Sequence, residues 1–139
     1  YPMDSYAKTC ALVAGEKNYS IQLRMRHGHI FTFPEFFLFV DQYIKGSTPL
    51  PVVSRPQVKN GQLRANVKTS TQLGSARLHF TTAPHRQNPQ RKWTTQNLTI
   101  QENTISGAAP PSDATAWYID VTDERKALVS SQVMVPNTK

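Results

Sequence analysis

Ser20-Ile21-Gln22-Leu23-Arg24-Met25-Arg26-His27-Gly28-His29 is the stretch from which the rest of the chain is read. Up to Arg26 it alternates, with Ile21, Leu23 and Met25 on one face and Gln22, Arg24 and Arg26 on the other, as a half-buried strand requires. Helical signals follow at once. Thr32 is placed to cap, Pro34 falls in the first turn where a missing N–H costs nothing, and Glu35 stands three residues after Thr32, the spacing of a capping box. A histidine pair therefore sits where a strand is expected to end and a helix to begin. In α/β proteins that sheet edge carries ligand-binding and catalytic groups.

Working outward, Asp4 or Ser5 can cap a helix over residues 6–14, which Gly15 is placed to end. Cys10 falls in line with Tyr6 and Val13 at helical spacing and reads as a small buried apolar residue. After the histidines, residues 33–45 read as a second helix whose stripe is Phe36, Phe37, Val40 and Tyr43 or Ile44, with Gly46 as the stop. Residues 1–50 are thus helix, strand, helix. That is one crossover edge of a parallel α/β sheet, and a lone strand makes no sheet.

At Gly46-Ser47-Thr48-Pro49-Leu50-Pro51 the composition shifts, and beyond it the apolar period changes from about 3.6 to 2. Asn60-Gly61, between Gln57-Val58-Lys59 and residues 62–68, is a hairpin turn signal because both positions tolerate positive φ. Residues 75–81 put Ala76, Leu78 and Phe80 inward against Arg77, His79 and Thr81, and residues 116–122 put Trp117, Ile119 and Val121 on one face. Residues 93–101 and 127–135 are further strand candidates. Short strands without a helix among them make residues 52–139 a β-sandwich of immunoglobulin or fibronectin type. The expected fold class is α+β: a helix-strand-helix edge over 1–50, then that sandwich over 52–139.

One cysteine excludes an internal disulfide framework and a multi-thiolate zinc site. No apolar run spans a bilayer and no leader precedes the first helix, so a soluble chain without a membrane partner is expected. The net charge of +7 raises nucleic acid as a partner. Residues 1–50 hold five Lys/Arg against four Asp/Glu, and residues 51–139 hold eleven against five, but the cations are scattered and only Arg91-Lys92 and Arg125-Lys126 are paired. Without a recognised motif beside them, a solvated surface is the simpler account.

The run Arg26-His27-Gly28-His29, then Pro34-Glu35, Phe39-Val40-Asp41 and residues 45–51, resembles the carboxyl end of an α/β-hydrolase of the acetylxylan-esterase-like and pathogenicity-related group. Residues 116–125 with Val129-Ser130-Ser131 are similar to the closing strand pair of its appended β-sandwich, and residues 1–6 to the segment after the triad acid. The resemblance implies a serine esterase acting on acylated carbohydrate or another ester. It also implies a triad histidine, which is His27 because the following Gly28 lets the backbone turn sharply, with His29 in reserve. No cofactor is implied, and a secreted or periplasmic location suits the full-length protein. The chain departs from the group in holding no Gly-x-Ser-x-Gly elbow, so the nucleophile is missing and an amino-terminal portion, or self-association, is expected to complete the sheet.

Two other readings compete. His27 and His29 with Glu35 and either His79 or His85 imitate a two-histidine, one-carboxylate metal set, but Glu35 is better explained as a helix cap, and no metal is assigned. The alternative of another class is a stand-alone binding module, for carbohydrate, in which Trp93 and Tyr118 stack on sugar rings while Trp117 fills the core.

Overall fold

The computed structural model describes residues 3–25, 28, 32–83 and 91–136, and the histidines His27, His29 and His85 lie outside them. Among the described residues two helices precede nine strands: α1 (Met3–Leu12), α2 (Pro34–Ile44), β1 (Val52–Val53), β2 (Gln57–Lys59), β3 (Gln62–Lys68), β4 (Leu73–Thr81), β5 (Thr94–Asn97), β6 (Thr99–Gln101), β7 (Thr104–Ala108), β8 (Ala116–Asp123) and β9 (Leu128–Ser130). The class is α+β, mostly strand, with two antiparallel sheets. One runs β1-β3-β7-β6 with β2 also on β3, and the other runs β5-β4-β8-β9.

The Asn60-Gly61 turn forms as the residue types require, with φ of 51° and 71° joining β2 to β3. Every second residue of β3, namely Leu63, Ala65 and Val67, is buried. From the other sheet Ala76, Leu78 and Phe80 face the same core, each directly opposite Val121, Ile119 and Trp117 of β8. Ile105 of β7 completes it, so the two sheets share one apolar interior. Burying a side chain such as Leu78 or Ile119 is worth about 1.5–3 kcal/mol, and neither has any exposed surface.

The 93–101 candidate is two strands. It breaks at Leu98, whose N–H bonds Ala76 O, and so passes from one sheet (β5 on β4) to the other (β6 on β7). β7 was not expected from the sequence, since Ile105 is its one large apolar residue. The 127–135 candidate is regular only over β9, after which a single bridge joins Met134 to Trp117.

The expected strand over residues 20–25 does not form. β9 offers an edge of three residues, and the segment pairs with it at one bridge, Tyr19 to Ser130, before turning at Leu23-Arg24 with Arg24 at φ 61°. Its alternation still matters, because Ile21 and Leu23 lie on the outer face of the second sheet, against Ala116, Tyr118 and Val133. The capping box is also absent: Phe33 is the N-cap of α2 and no side chain caps it, while Pro34 sits in the first turn as expected. Gly46, at φ 65°, ends that helix. α1 is shifted, starting at Met3 and ending at Leu12 where residues 6–14 were expected, and Cys10 is half-buried rather than buried.

Residues 18–50 and the sheets meet at several points. Leu38 and Phe39 of α2 pack on the shared core, and Asn18 Nδ2 donates to Pro51 O at 2.8 Å. Arg125 donates to the carbonyls of Thr48 and Pro49 at 2.7 and 3.1 Å. Its own Nε is held by Asp123 at 2.8 Å, and that fully buried carboxylate also accepts the N–H groups of Arg125 and Ala127. Thr122-Asp123-Glu124-Arg125 therefore builds the β8–β9 turn and ties the proline-rich linker to it.

Candidate functional site

Met25 and Phe33 flank in sequence the stretch that holds His27 and His29, and both line a chamber of about 280 Å³. Its walls are otherwise Phe36, Phe39, Leu50 and Val129 on the apolar side, with Asn18, Tyr19, Ser20, Gln22 and Glu35 on the polar side. Glu35 is the one charged side chain among the described lining residues. It lies in the first turn of α2, where the helix dipole favours a negative charge, and it is only 7% exposed. Instead of capping α2, it reaches back to the irregular segment before the loop. Ser20 Oγ and Gln22 Nε2 each donate to its Oε1 at 2.7 Å, and Gln22 also donates to Ser20 Oγ at 3.2 Å. Its Oε2 is shielded from water and has no partner among the described residues.

A second polar group is set by register alone. On the outer face of the second sheet β4 places Arg77 and His79 directly opposite Asp120 and Tyr118 of β8, and β5 brings Thr95 opposite His79. Arg77 donates to both Asp120 oxygens, Nε to Oδ1 at 3.0 Å and a terminal nitrogen to Oδ2 at 2.9 Å. His79 Nε2 lies 2.7 Å from Asp120 Oδ2, and its Nδ1 lies 2.9 Å from Thr95 Oγ1. The bond to Asp120 raises the affinity of Arg77 for its proton. Burial, and then the charge of Asp120, pushes the Tyr118 phenol well above its ordinary value. The order hydroxyl, imidazole, carboxylate is that of a nucleophile, base and orienting acid. Here the imidazole is 3% exposed beneath Tyr118, its ring stacked at 4.9 Å, which leaves a substrate no approach to it, and the set clamps three strands together.

His27 and its reserve His29 lie outside the described residues; Met25 and Phe33, which flank them in sequence, border the chamber. Trp93 and Tyr118 share a face as expected, edge to face at 5.5 Å. Tyr118 is not exposed, however: the chain's own Ile21, Leu23 and Val133 cover it, so it offers no surface to a sugar. Trp117 is in the core. His79 and Glu35 are engaged separately, by Asp120 and Thr95 and by Ser20 and Gln22. Among the described residues no group of three His, Cys, Asp or Glu is gathered to hold a metal ion.

Sequence reasoning missed the second group although its signal was present. Asp120 stands in an otherwise apolar strand at the same parity as Tyr118, and Arg77 and His79 share a parity on β4. No protein-family model matches the chain, and no curated protein or solved structure matches it.

Proposed function

We propose that the chain is the carboxyl-terminal part of a serine ester hydrolase acting on acylated carbohydrate. In this reading residues 1–50 are the edge of its α/β domain and residues 52–139 an appended immunoglobulin- or fibronectin-like β-sandwich. The observation that carries the reading is where apolar surface remains uncovered. Leu12 (87% exposed), Ile44 (75%), Tyr43, Phe37, Val13 and Met25 all belong to the first fifty residues. In the sheet part Val52 and Val58 are the exposed large apolar residues among the described ones, so most of the uncovered apolar side chains lie where more of a domain would pack. His27, with His29 in reserve, would act as base toward an upstream serine and then as acid toward the leaving group, through an acyl-serine intermediate. The chamber beside their loop would then border the reacting centre.

The reading of a stand-alone carbohydrate module is weakened, because burial of Tyr118 leaves Trp93 without a partner aromatic on the surface. A fluorophosphonate probe on the polypeptide isolated from its source decides. Labelling of a serine upstream of Tyr1, lost in His27→Ala, is the expected result. A source polypeptide of 15.7 kDa that takes no label and hydrolyses nitrophenyl acetate no faster than free imidazole contradicts the proposal.

A further inference from the structure

We infer that the outer face of the sheet formed by β1, β2, β3, β6 and β7 binds an anionic polysaccharide, a chain of sugars with carboxylate groups among its hydroxyls. This is not the sheet that holds Tyr118, and the inference needs neither a serine nor His27, so it stands apart from the hydrolase reading. It rests on what register gathers. Lys59, Arg64 and Lys68 are isolated from one another in sequence, yet all three point away from the shared core. Lys59 pairs with Gln62, two residues from Arg64, and Arg64 and Lys68 alternate with the buried Leu63, Ala65 and Val67. All three are exposed, and none is in an ion pair among the described residues.

The strands contribute no acid to this face; Glu102, in the β6–β7 turn, stands at its rim. Amides and hydroxyls lie among the cations, with Gln57 and Ser106 on either side of Arg64 and Thr104 opposite Asn66. On ordinary strand spacings Lys59 and Arg64 are about 7–8 Å apart, and Arg64 and Lys68 about 14 Å. Charges set apart with hydrogen-bonding groups between them match a polymer whose carboxylates are separated by sugar hydroxyls. A nucleic acid strand places a phosphate about every 3.4 Å, denser than these cations, and unpaired bases stack on aromatic rings, of which the face has none. A bilayer surface would also engage an apolar stripe, and Val52 is the one large apolar side chain on it.

At the Lys68 end, Val52 and Lys68 also line a cleft of about 390 Å³ with Lys17, Asn18, Thr69 and Ser70. That volume corresponds to roughly thirteen waters at ~30 Å³ each, room for a sugar ring at the end of the chain. The one acid among its described lining residues, Glu16, accepts the Tyr43 hydroxyl at 2.8 Å. The outer face of the other sheet offers no such surface, since Ile21, Leu23 and Val133 cover it.

The test titrates the full chain, at about 0.15 M salt so that distant charges are screened, with oligogalacturonate, with its fully methyl-esterified neutral form and with a short duplex DNA. The backbone amides of Arg64, Asn66 and Ser106 are followed by NMR. Oligogalacturonate is expected to shift them saturably and to bind about tenfold more tightly than the neutral ester, the combined margin of three exposed ion pairs that are each weak. Lys59→Gln with Arg64→Gln and Lys68→Gln removes that margin. Lys45→Gln with Lys92→Gln and Lys126→Gln lowers the net charge equally and keeps it. All six side chains are exposed, so neither variant disturbs the core. Equal affinity for acid and ester, a margin lost as fully in the second variant as in the first, shifts confined to other residues, or tighter binding of the duplex DNA overturns the inference.

Discussion

The two-sheet part and the first fifty residues treat apolar surface in opposite ways. Between the sheets Leu63, Leu78, Ile105, Ile119 and Val121 are sealed from solvent, and even the outer face of β8 is covered by segments from both ends of the chain. On α1 and α2 side chains as large as Leu12, Phe37 and Ile44 stand in solvent. The lesson is that the sheets are sealed, in part by Ile21, Leu23, Leu38, Phe39 and Leu50 of the first fifty residues, while the outward faces of the two helices are left open. Packing, more than composition, separates them: α2 holds Phe36, Phe37, Leu38, Phe39, Val40 and Ile44, yet Glu35 is its one buried residue.

That contrast is sharpened first by truncation on each side of it. Leu78→Ala, in the sealed core, should cost about 2–5 kcal/mol of unfolding free energy in a denaturant titration. Ile44→Ala, on the open face, should change it by no more than about 0.5 kcal/mol. A large loss at Ile44 would mean that its surface is already covered.

Next comes the clamp on the outer face. Asp120→Asn leaves Arg77 and His79 without a carboxylate on a side chain that is 2% exposed. The expected cost is about 2–3 kcal/mol, below that of a fully buried pair because Arg77 is partly solvated. An unchanged denaturation midpoint would show the clamp to be idle.

Cutting the chain at the boundary tests the contrast as a whole, because it also strips Leu38, Phe39 and the buried Leu50 from the shared core. Residues 52–139 are expected to unfold as one cooperative unit, at a lower midpoint than the whole chain because the cut uncovers Tyr118 and Val133. Loss of amide dispersion in that fragment would place both regions in one folding unit.

The smallest effect is a pH dependence. Burial raises the folded-state affinity of the Tyr118 phenol for its proton above the ordinary value of 10.0. The neutral phenol is favoured in the fold, so stability is intact below pH 10.0. It declines as the unfolded phenol ionises, by about 1.4 kcal/mol per pH unit, until the folded one ionises too. Tyr118→Phe should remove this alkaline slope. It should also raise stability at neutral pH by about 1 kcal/mol, because the hydroxyl is buried without a partner among the described residues. A slope unchanged in Tyr118→Phe would assign it to another group.

Much of the sheet part was legible because its cues are local. Asn60-Gly61 carries its own turn, and the alternation over residues 75–81 and 116–122 names which side chains face the core. What alternation cannot reveal is whether the other face is wet. His79 and Tyr118 were placed outward correctly but are buried, since Ile21 and Leu23 return from about ninety-five residues away in sequence to cover Tyr118, which in turn stacks on His79. The sheet change at Leu98 is likewise a tertiary event inside a continuous strand pattern. At the candidate site the loop and its flanking helix were visible in the sequence. The role of Glu35 was not, because a capping box is a three-residue pattern and its actual partners, Ser20 and Gln22, lie beyond that window.

The central claim is that the surface of the first fifty residues is made to be covered. Sedimentation of the intact chain at micromolar concentration tests it most directly. The account predicts self-association through this surface, reversed by Leu12→Asp with Ile44→Asp. A single species at 15.7 kDa that the double substitution leaves unchanged would contradict it.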